Sequence, residues 1–257
     1  MLSGQRGASS KVRLMRMVAV VLAGGSGLRF GAGVPKQLLK LDGRTLIEHC
    51  VAAFDKAPGV DDVLVVMAPG HTGEVAALLD GAGFGKLAGI IEGGTTRPGS
   101  TRRAIEAIGA RLAAMGISDC GVLLHDAARP LIGQRIIADC VTALGEADAV
   151  GVAVPTSDTI VVVTDGVMTR IPRRDSLLRC QTPQAFRWSV ITRAHELARA
   201  DPDFTPTDDC GVVLRYLPDV PVRVVPGSED NLKITFPRDL AIAETLLRAG
   251  DGDGVSS

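Results

Sequence analysis

The chain has 257 residues, 46% of them hydrophobic, and its 28 Lys and Arg nearly balance 29 Asp and Glu. Such a length suits one large α/β domain or two small ones, with a sizeable core. The even charge excludes a nucleic-acid binder that works through bulk charge, and one Trp with one Tyr makes no stacking platform for single strands. Residues 1–15 read as a disordered extension, with Met15 or Met17 as alternative starts. The basic "KVRLMR" before "MVAVVLA" mimics a signal peptide, but the apolar run is short and feeds a glycine loop. It reads as a first strand, and the protein as cytoplasmic.

Further along, β-branched runs alternate with helical segments. A glycine loop spans 24–36, and residues 45–57 read as a helix. Strands at 60–68 and 87–94 flank a helix at 72–83. A helix over 100–116 is expected to be capped by Ser100. A strand at 120–130 ends in Asp126, a helix covers 134–147, and another strand covers 148–155. The strand runs are continuously apolar rather than alternating, so they belong to strands buried on both faces. Strand–helix alternation then predicts an α/β fold: a Rossmann-like, mostly parallel sheet with helices on both faces. Loops that follow strands gather at the carboxyl edge, where such sheets bind ligands. The loops 24–36, 93–100 and 126–130 lie there.

The rhythm breaks over 156–187. Strand propensity surrounds a "TDGV" turn with no amphipathic helix, which predicts a projecting β-arm. A helical pattern resumes at 188–200. No repeat or linker appears. The organisation expected is a single domain over 16–249, with the arm inside it and a disordered tail at 250–257. Cys50, Cys120, Cys140, Cys180 and Cys210 form no C-x-x-C pair, which points to buried thiols in a reducing cytosol rather than disulfides or structural zinc.

In the loop "LAGGSGLRFGAGVPKQ", Gly24, Gly25 and Gly27 let backbone N–H groups approach phosphates. No G-K-[ST] follows, so it is not a Walker loop. Gly31 comes one residue too late for the dinucleotide fingerprint. The glycines alone suit a tight turn equally well. Arg29 and Lys36 flank them as cations, with Pro35 stiffening the approach to Lys36.

The combination of strand, L-A-G-G-x-G-x-R and P-K-Q resembles the nucleotidyltransferases that activate sugar or polyol phosphates. "HDAARP" (125–130), "DTI" (158–160), "QTPQAF" (181–186), "TDD" (207–209) and "DNLKIT" (230–235) follow in order. As a set they resemble the cytidylyltransferases that act on 2-C-methyl-D-erythritol 4-phosphate and on ribitol 5-phosphate. The resemblance covers residues 17 to about 248. It implies the nucleotide-diphospho-sugar transferase type of fold. It implies that Ala23, Gly24, Gly25 and Gly27 wrap the CTP phosphates. Arg29 and Lys36 would stabilise charge at the α-phosphorus, and Gly94 and Ser100 would face the cytosine. Asp126 would lie near Mg²⁺ and the acceptor hydroxyls, with Asp230 a second metal candidate. Arg174 and Lys233 would position the acceptor phosphate, with Thr182 and Thr207 nearby. The arm would cross to the partner of a homodimer, so that Thr159, Arg174 and Thr182 serve the neighbouring site.

The chemistry agrees with that inventory. A phosphomonoester acceptor is largely ionised at neutral pH and needs no general base; what the reaction needs is alignment of two anions and charge neutralisation. His49, His71 and His195 read as structural or solvated. His125 either orients Asp126 or is a satisfied core histidine. Asp126 and Thr207 also suit helix caps, and Lys233 and Arg174 suit solvated surface. "LAGG" and Val161 lean toward ribitol 5-phosphate as acceptor, whereas "HDAARP", "TDD" and "GSEDNLKIT" suit methylerythritol phosphate. A nucleotide-binding module without catalysis would lack Arg29, Lys36 or Asp126, and all three are present. An NAD(P)-dependent oxidoreductase would need a Tyr–Lys pair, and Tyr216 has no Lys nearby in sequence.

Overall fold

The computed structural model describes residues 15–24, 35–201, 203–204 and 206–252. In chain order its strands are β1 (Met17–Ala23), β2 (Lys40–Leu41), β3 (Arg44–Thr45), β4 (Asp62–Met67), β5 (Leu87–Glu92), β6 (Gly121–Asp126), β7 (Ala149–Pro155), β8 (Val162–Thr164), β9 (Val167–Arg170), β10 (Leu178–Arg187) and β11 (Val222–Pro226). The helices are α1 (Leu46–Lys56), α2 (Thr72–Asp80), α3 (Arg97–Met115), α4 (Gln134–Leu144), α5 (Trp188–Ala198), α6 (Asp209–Tyr216) and α7 (Pro237–Gly252).

Every residue of β1 and β4 is buried, as their unbroken apolar runs require. The main sheet has the order β11-β7-β10-β6-β1-β4-β5. β1 pairs in parallel with β4 and β6, as do β4 with β5 and β11 with β7. Successive residues of β1 feed opposite faces. Met17, Ala19, Val21 and Ala23 join a core with α1, α2 and α4, in which Phe54, Val75 and Ile137 are buried. Val18, Val20 and Leu22 join the core on the other face, with α3, α5 and α6. The layering is the one anticipated.

Two local expectations change. Helix α3 starts at Arg97, not at Ser100: its cap is Thr96, whose Oγ1 accepts from the Gly99 N–H at 3.1 Å. Pro98 falls in the first turn, where proline is tolerated because its missing N–H has no intrahelical partner. The stretch expected to be arm is also divided. Only β8 and β9 form a separate hairpin, turned by Asp165 (φ 50°) and Gly166 (φ 79°). Residues 178–187 instead enter the main sheet as β10, antiparallel to both β6 and β7. That position buries Gln181–Phe186, although their sequence shares the arm's strand propensity. Residues 1–14 and 253–257 of the expected extension and tail lie outside the described residues.

Candidate active site

The carboxyl ends of β1 and β6, the segment 93–100 and the segment before α7 converge on one cleft. It has a volume of about 340 Å³ and is lined by Gly24, Lys36, Arg97, Ser100, Asp126 and Lys233, among others. Three loops were expected at this edge, and the described parts of all three contribute. Gly25, Gly27 and Arg29 lie outside the described residues.

Asp126 ends β6 and carries the densest set of charges. Lys233 Nζ donates to its Oδ2 at 2.7 Å, and Arg97 Nε donates to its Oδ1 at 3.3 Å. Burial alone would raise its pKa; the nearby Arg97 and Lys233 cations outweigh that and hold the carboxyl well below the usual range. The helix that follows is capped at Gly133, so Asp126 is not a cap. Its own N–H donates to Thr182 Oγ1 at 3.1 Å.

Behind it, His125 is fully buried. Its Nε2 lies 3.0 Å from the Arg129 carbonyl, which can only accept, so Nε2 carries the proton. Nδ1 then accepts from the Thr182 hydroxyl at 3.0 Å. Burial lowers its pKa to about 4, so the ring is neutral at physiological pH. Both readings of His125 therefore hold: it is a satisfied core histidine, and through Thr182 it braces the Asp126 backbone.

Lys233 reaches the cleft because its segment is stitched to β6 and β10. Asn231 Nδ2 donates to the Thr182 carbonyl at 2.8 Å, Arg129 Nη1 to the Asn231 carbonyl at 2.7 Å, and the Ile234 N–H to the Ala128 carbonyl at 2.8 Å. Three motifs far apart in sequence thus form one unit. Lys36 opens a 3₁₀ turn (Lys36–Leu38), and its Nζ donates to the Ile234 carbonyl at 2.9 Å. The adjacent Gln37 pins that turn to the end of β1 through the Ala23 carbonyl, at 2.7 Å.

Ser100 is buried under the glycines. Its hydroxyl lies 3.1 Å from the Thr96 carbonyl and 3.3 Å from that of Gly94. A Cβ at Gly24 would stand 2.8 Å from Ser100 Oγ, and one at Gly94 would stand 2.7 Å from the Gly99 backbone. Gly94 needs glycine because the neighbour there is backbone, whereas at Gly24 a Cβ would displace the Ser100 hydroxyl from its place.

Arg97 was not anticipated. It has carboxylates on two sides, since Nη1 also donates to Asp209 Oδ2 at 2.7 Å. One signal was present in the sequence. A helix N-terminus favours anions, yet α3 begins with Arg and has no acid in its first turn. A cation placed there answers to something outside the helix.

Other expected residues lie elsewhere. Arg174 and Thr159 are exposed on the arm, joined by a 2.9 Å bond from Nη2 to Oγ1. Thr207 is exposed, and the cap of α6 is its neighbour Asp208, which accepts from the Gly211 N–H at 2.7 Å. Asp230 is exposed in a tight turn, its backbone N–H donating to Ser228 Oγ at 3.2 Å, and does not line the cleft. Among the described residues no group of three or more His, Cys, Asp or Glu could cage a metal. A single carboxylate still fits Mg²⁺, which keeps much of its water and takes other oxygens from bound phosphates.

The family model for 2-C-methyl-D-erythritol 4-phosphate cytidylyltransferase matches residues 17–249. A protein of that name from Thermobifida fusca is 51% identical over 93% of this chain and 96% of its own length. A bifunctional ribulose 5-phosphate reductase/CDP-ribitol pyrophosphorylase from Haemophilus influenzae is 36% identical over 90% of this chain and 48% of its own length. The crystal structure of 4-diphosphocytidyl-2C-methyl-D-erythritol synthase from Anaerococcus prevotii superposes with a TM-score of 0.78 at 27% identity, covering 91% of this chain and 99% of that one.

Proposed function

The chain belongs to the 2-C-methyl-D-erythritol 4-phosphate cytidylyltransferase family and is a nucleotidyltransferase; on that premise we propose that it transfers CMP from CTP to 2-C-methyl-D-erythritol 4-phosphate and releases pyrophosphate. The observation that carries this reading is Asp126 held between Arg97 and Lys233, in a cleft that Lys36 also lines.

An oxygen of the acceptor phosphate attacks the α-phosphorus, the new P–O bond forms, and the bond to the β-phosphate oxygen breaks. A phosphomonoester has its second pKa near ~6, so it attacks as a dianion and needs no base. No buried histidine is required to supply one: His125 is neutral and occupied on both ring nitrogens. Lys36 and Arg29 neutralise charge that grows on the transferred group and the leaving pyrophosphate. Lys233 exchanges part of its bond with Asp126 for the acceptor phosphate. When bound, Mg²⁺ neutralises phosphate oxygens, and Asp126 is the side chain that would hold it.

The lean toward ribitol 5-phosphate gives way to the other acceptor. The relative at 51% identity carries the methylerythritol name, whereas the CDP-ribitol relative stands at 36%.

The reading extends to a cytoplasmic homodimer in which the arm completes a neighbouring site. Its support is local. Val163, Val167, Met168 and Ile171 are all more than half exposed on the hairpin and just after it. Arg174 and Thr159 sit together beside them. A second copy would cover these apolar side chains and bring Arg174 to an acceptor phosphate. A pyrophosphate-release assay with CTP and Mg²⁺ tests the whole reading. Turnover with 2-C-methyl-D-erythritol 4-phosphate is expected to exceed that with ribitol 5-phosphate by about tenfold or more in kcat/KM. The reverse preference would overturn the assignment of the acceptor.

A further inference from the structure

A buried carboxylate stands behind the cleft. Asp209 is the first residue of α6 and 1% exposed. Its Oδ2 accepts from Arg97 Nη1 at 2.7 Å, and its Oδ1 accepts from His195 Nε2 of α5 at 3.0 Å. His195 is itself buried, and its Nδ1 has no partner among the described residues, so the proton belongs on Nε2. Gln184 of β10 completes the clamp. Its Oε1 accepts from the N–H groups of Asp209 and Cys210 at 3.0 and 3.1 Å, and its Nε2 donates to Asp208 Oδ2 at 3.0 Å. Two elements therefore hold the carboxylate, and a third holds its backbone.

A buried ion pair is a poor source of net stability, because desolvation offsets most of the attraction. Its retention here has a geometric use. One guanidinium is held by two carboxylates: Nη1 is committed to Asp209, and only Nε reaches Asp126. Released from Asp209, Arg97 could turn its full fork onto Asp126. It would then occupy both carboxylate oxygens and displace Lys233. We propose that Asp209 and His195 are positioning residues for nucleotidyl transfer, holding Arg97 so that it steadies one oxygen of Asp126 and leaves the other open to Lys233 and incoming ligands. This rests on the function proposed above.

The test is a double-mutant cycle on the full chain. Asp209→Asn keeps the shape of the side chain and removes its charge. It is expected to lower kcat with CTP and 2-C-methyl-D-erythritol 4-phosphate about tenfold or more, with KM for CTP changed less than about threefold. In an Arg97→Ala background the same substitution is expected to add almost nothing, because the effect runs through Arg97. His195→Gln, which retains a donor, is expected to keep more of kcat than His195→Ala, and it serves as the second arm if an Asp209 variant fails to fold. Multiplicative losses from Asp209→Asn and Arg97→Ala, or kcat losses that merely track falling melting temperature, would overturn the inference. A parent enzyme inactive on CTP with either acceptor would instead overturn the functional reading beneath it.

Discussion

The cleft and the arm are built on opposite rules. Around Asp126, each charged side chain is fixed by partners from distant segments: Arg97 from α3, Lys233 from the stretch before α7, Thr182 from β10. The groups are held in place before any substrate arrives, as electrostatic stabilisation of a transition state requires. The β8–β9 hairpin is held by its own ladder and a bond from Thr169 Oγ1 to the Val162 carbonyl at 3.1 Å. It turns Val163, Val167 and Met168 outward. A lone two-stranded hairpin is marginal in water, and this one leaves its large apolar side chains uncovered in the single chain. The contrast teaches where each kind of side chain sits: fixed charge in the body, exposed apolar surface in the arm.

Stability measurements give the largest expected contrast. Phe54 is fully buried and stacks edge-on against His125 at 5.3 Å between centroids. Phe54→Ala is expected to cost about 3–5 kcal/mol in urea unfolding. Val167→Ala, on the exposed arm, is expected to change the stability of the isolated chain by less than about 0.5 kcal/mol. Comparable losses at both positions would erase the distinction.

Activity divides in the same way. Lys36→Ala is expected to lower kcat about a hundredfold or more, roughly 3 kcal/mol of barrier. Its melting temperature is expected to stay within about 3 °C of the parent. Near-normal turnover would remove Lys36 from the chemistry.

Acid sensitivity belongs to the body. Burial lowers the His125 pKa from 6.5 to about 4, so between those values the unfolded chain binds more protons than the folded one. The resulting stability is complete above about pH 6.5 and falls as pH drops toward 4, by roughly 3 kcal/mol in all. Asp126 acts in a separate window. Its depressed carboxyl contributes stability above the ordinary carboxylate pKa of about 4, which is lost only on further acidification. His125→Gln is expected to flatten the unfolding free energy between pH 6.5 and 4 relative to the parent; an unchanged slope would contradict the neutral, doubly bonded ring.

The smallest catalytic effect is expected on the arm. Arg174→Ala is predicted to raise KM for the acceptor about tenfold while leaving the melting temperature within about 3 °C. Unchanged kinetics in dimeric protein would confine the arm to assembly.

Much of this was legible in the sequence. The central strands announced themselves as unbroken apolar runs, and their carboxyl edge fixed where Asp126 would lie. Lys36, Asp126 and Lys233 carried motif signals strong enough to be named. The roles of Arg97, Asp209 and His195 were not legible, although Asp209 lies in the "TDD" motif and His195 read as structural or solvated, because their meaning lies in contacts across 29, 112 and 14 residues of sequence. The inclusion of β10 in the arm has a similar cause. Its strand propensity matches that of the hairpin, and only tertiary pairing with β6 and β7 separates them. The acceptor was the least legible feature, because both candidates are small polyol phosphates that the same charged groups would hold.

A competition experiment reaches the central claim most directly. Limiting CTP is supplied with equal amounts of 2-C-methyl-D-erythritol 4-phosphate and ribitol 5-phosphate, and the products are separated and weighed by mass spectrometry. The ratio of the two cytidine diphosphate esters reports the ratio of kcat/KM values. The methylerythritol ester is predicted to dominate by about tenfold or more. Dominance of the ribitol ester, or no ester from either acceptor with folded protein, would contradict the account.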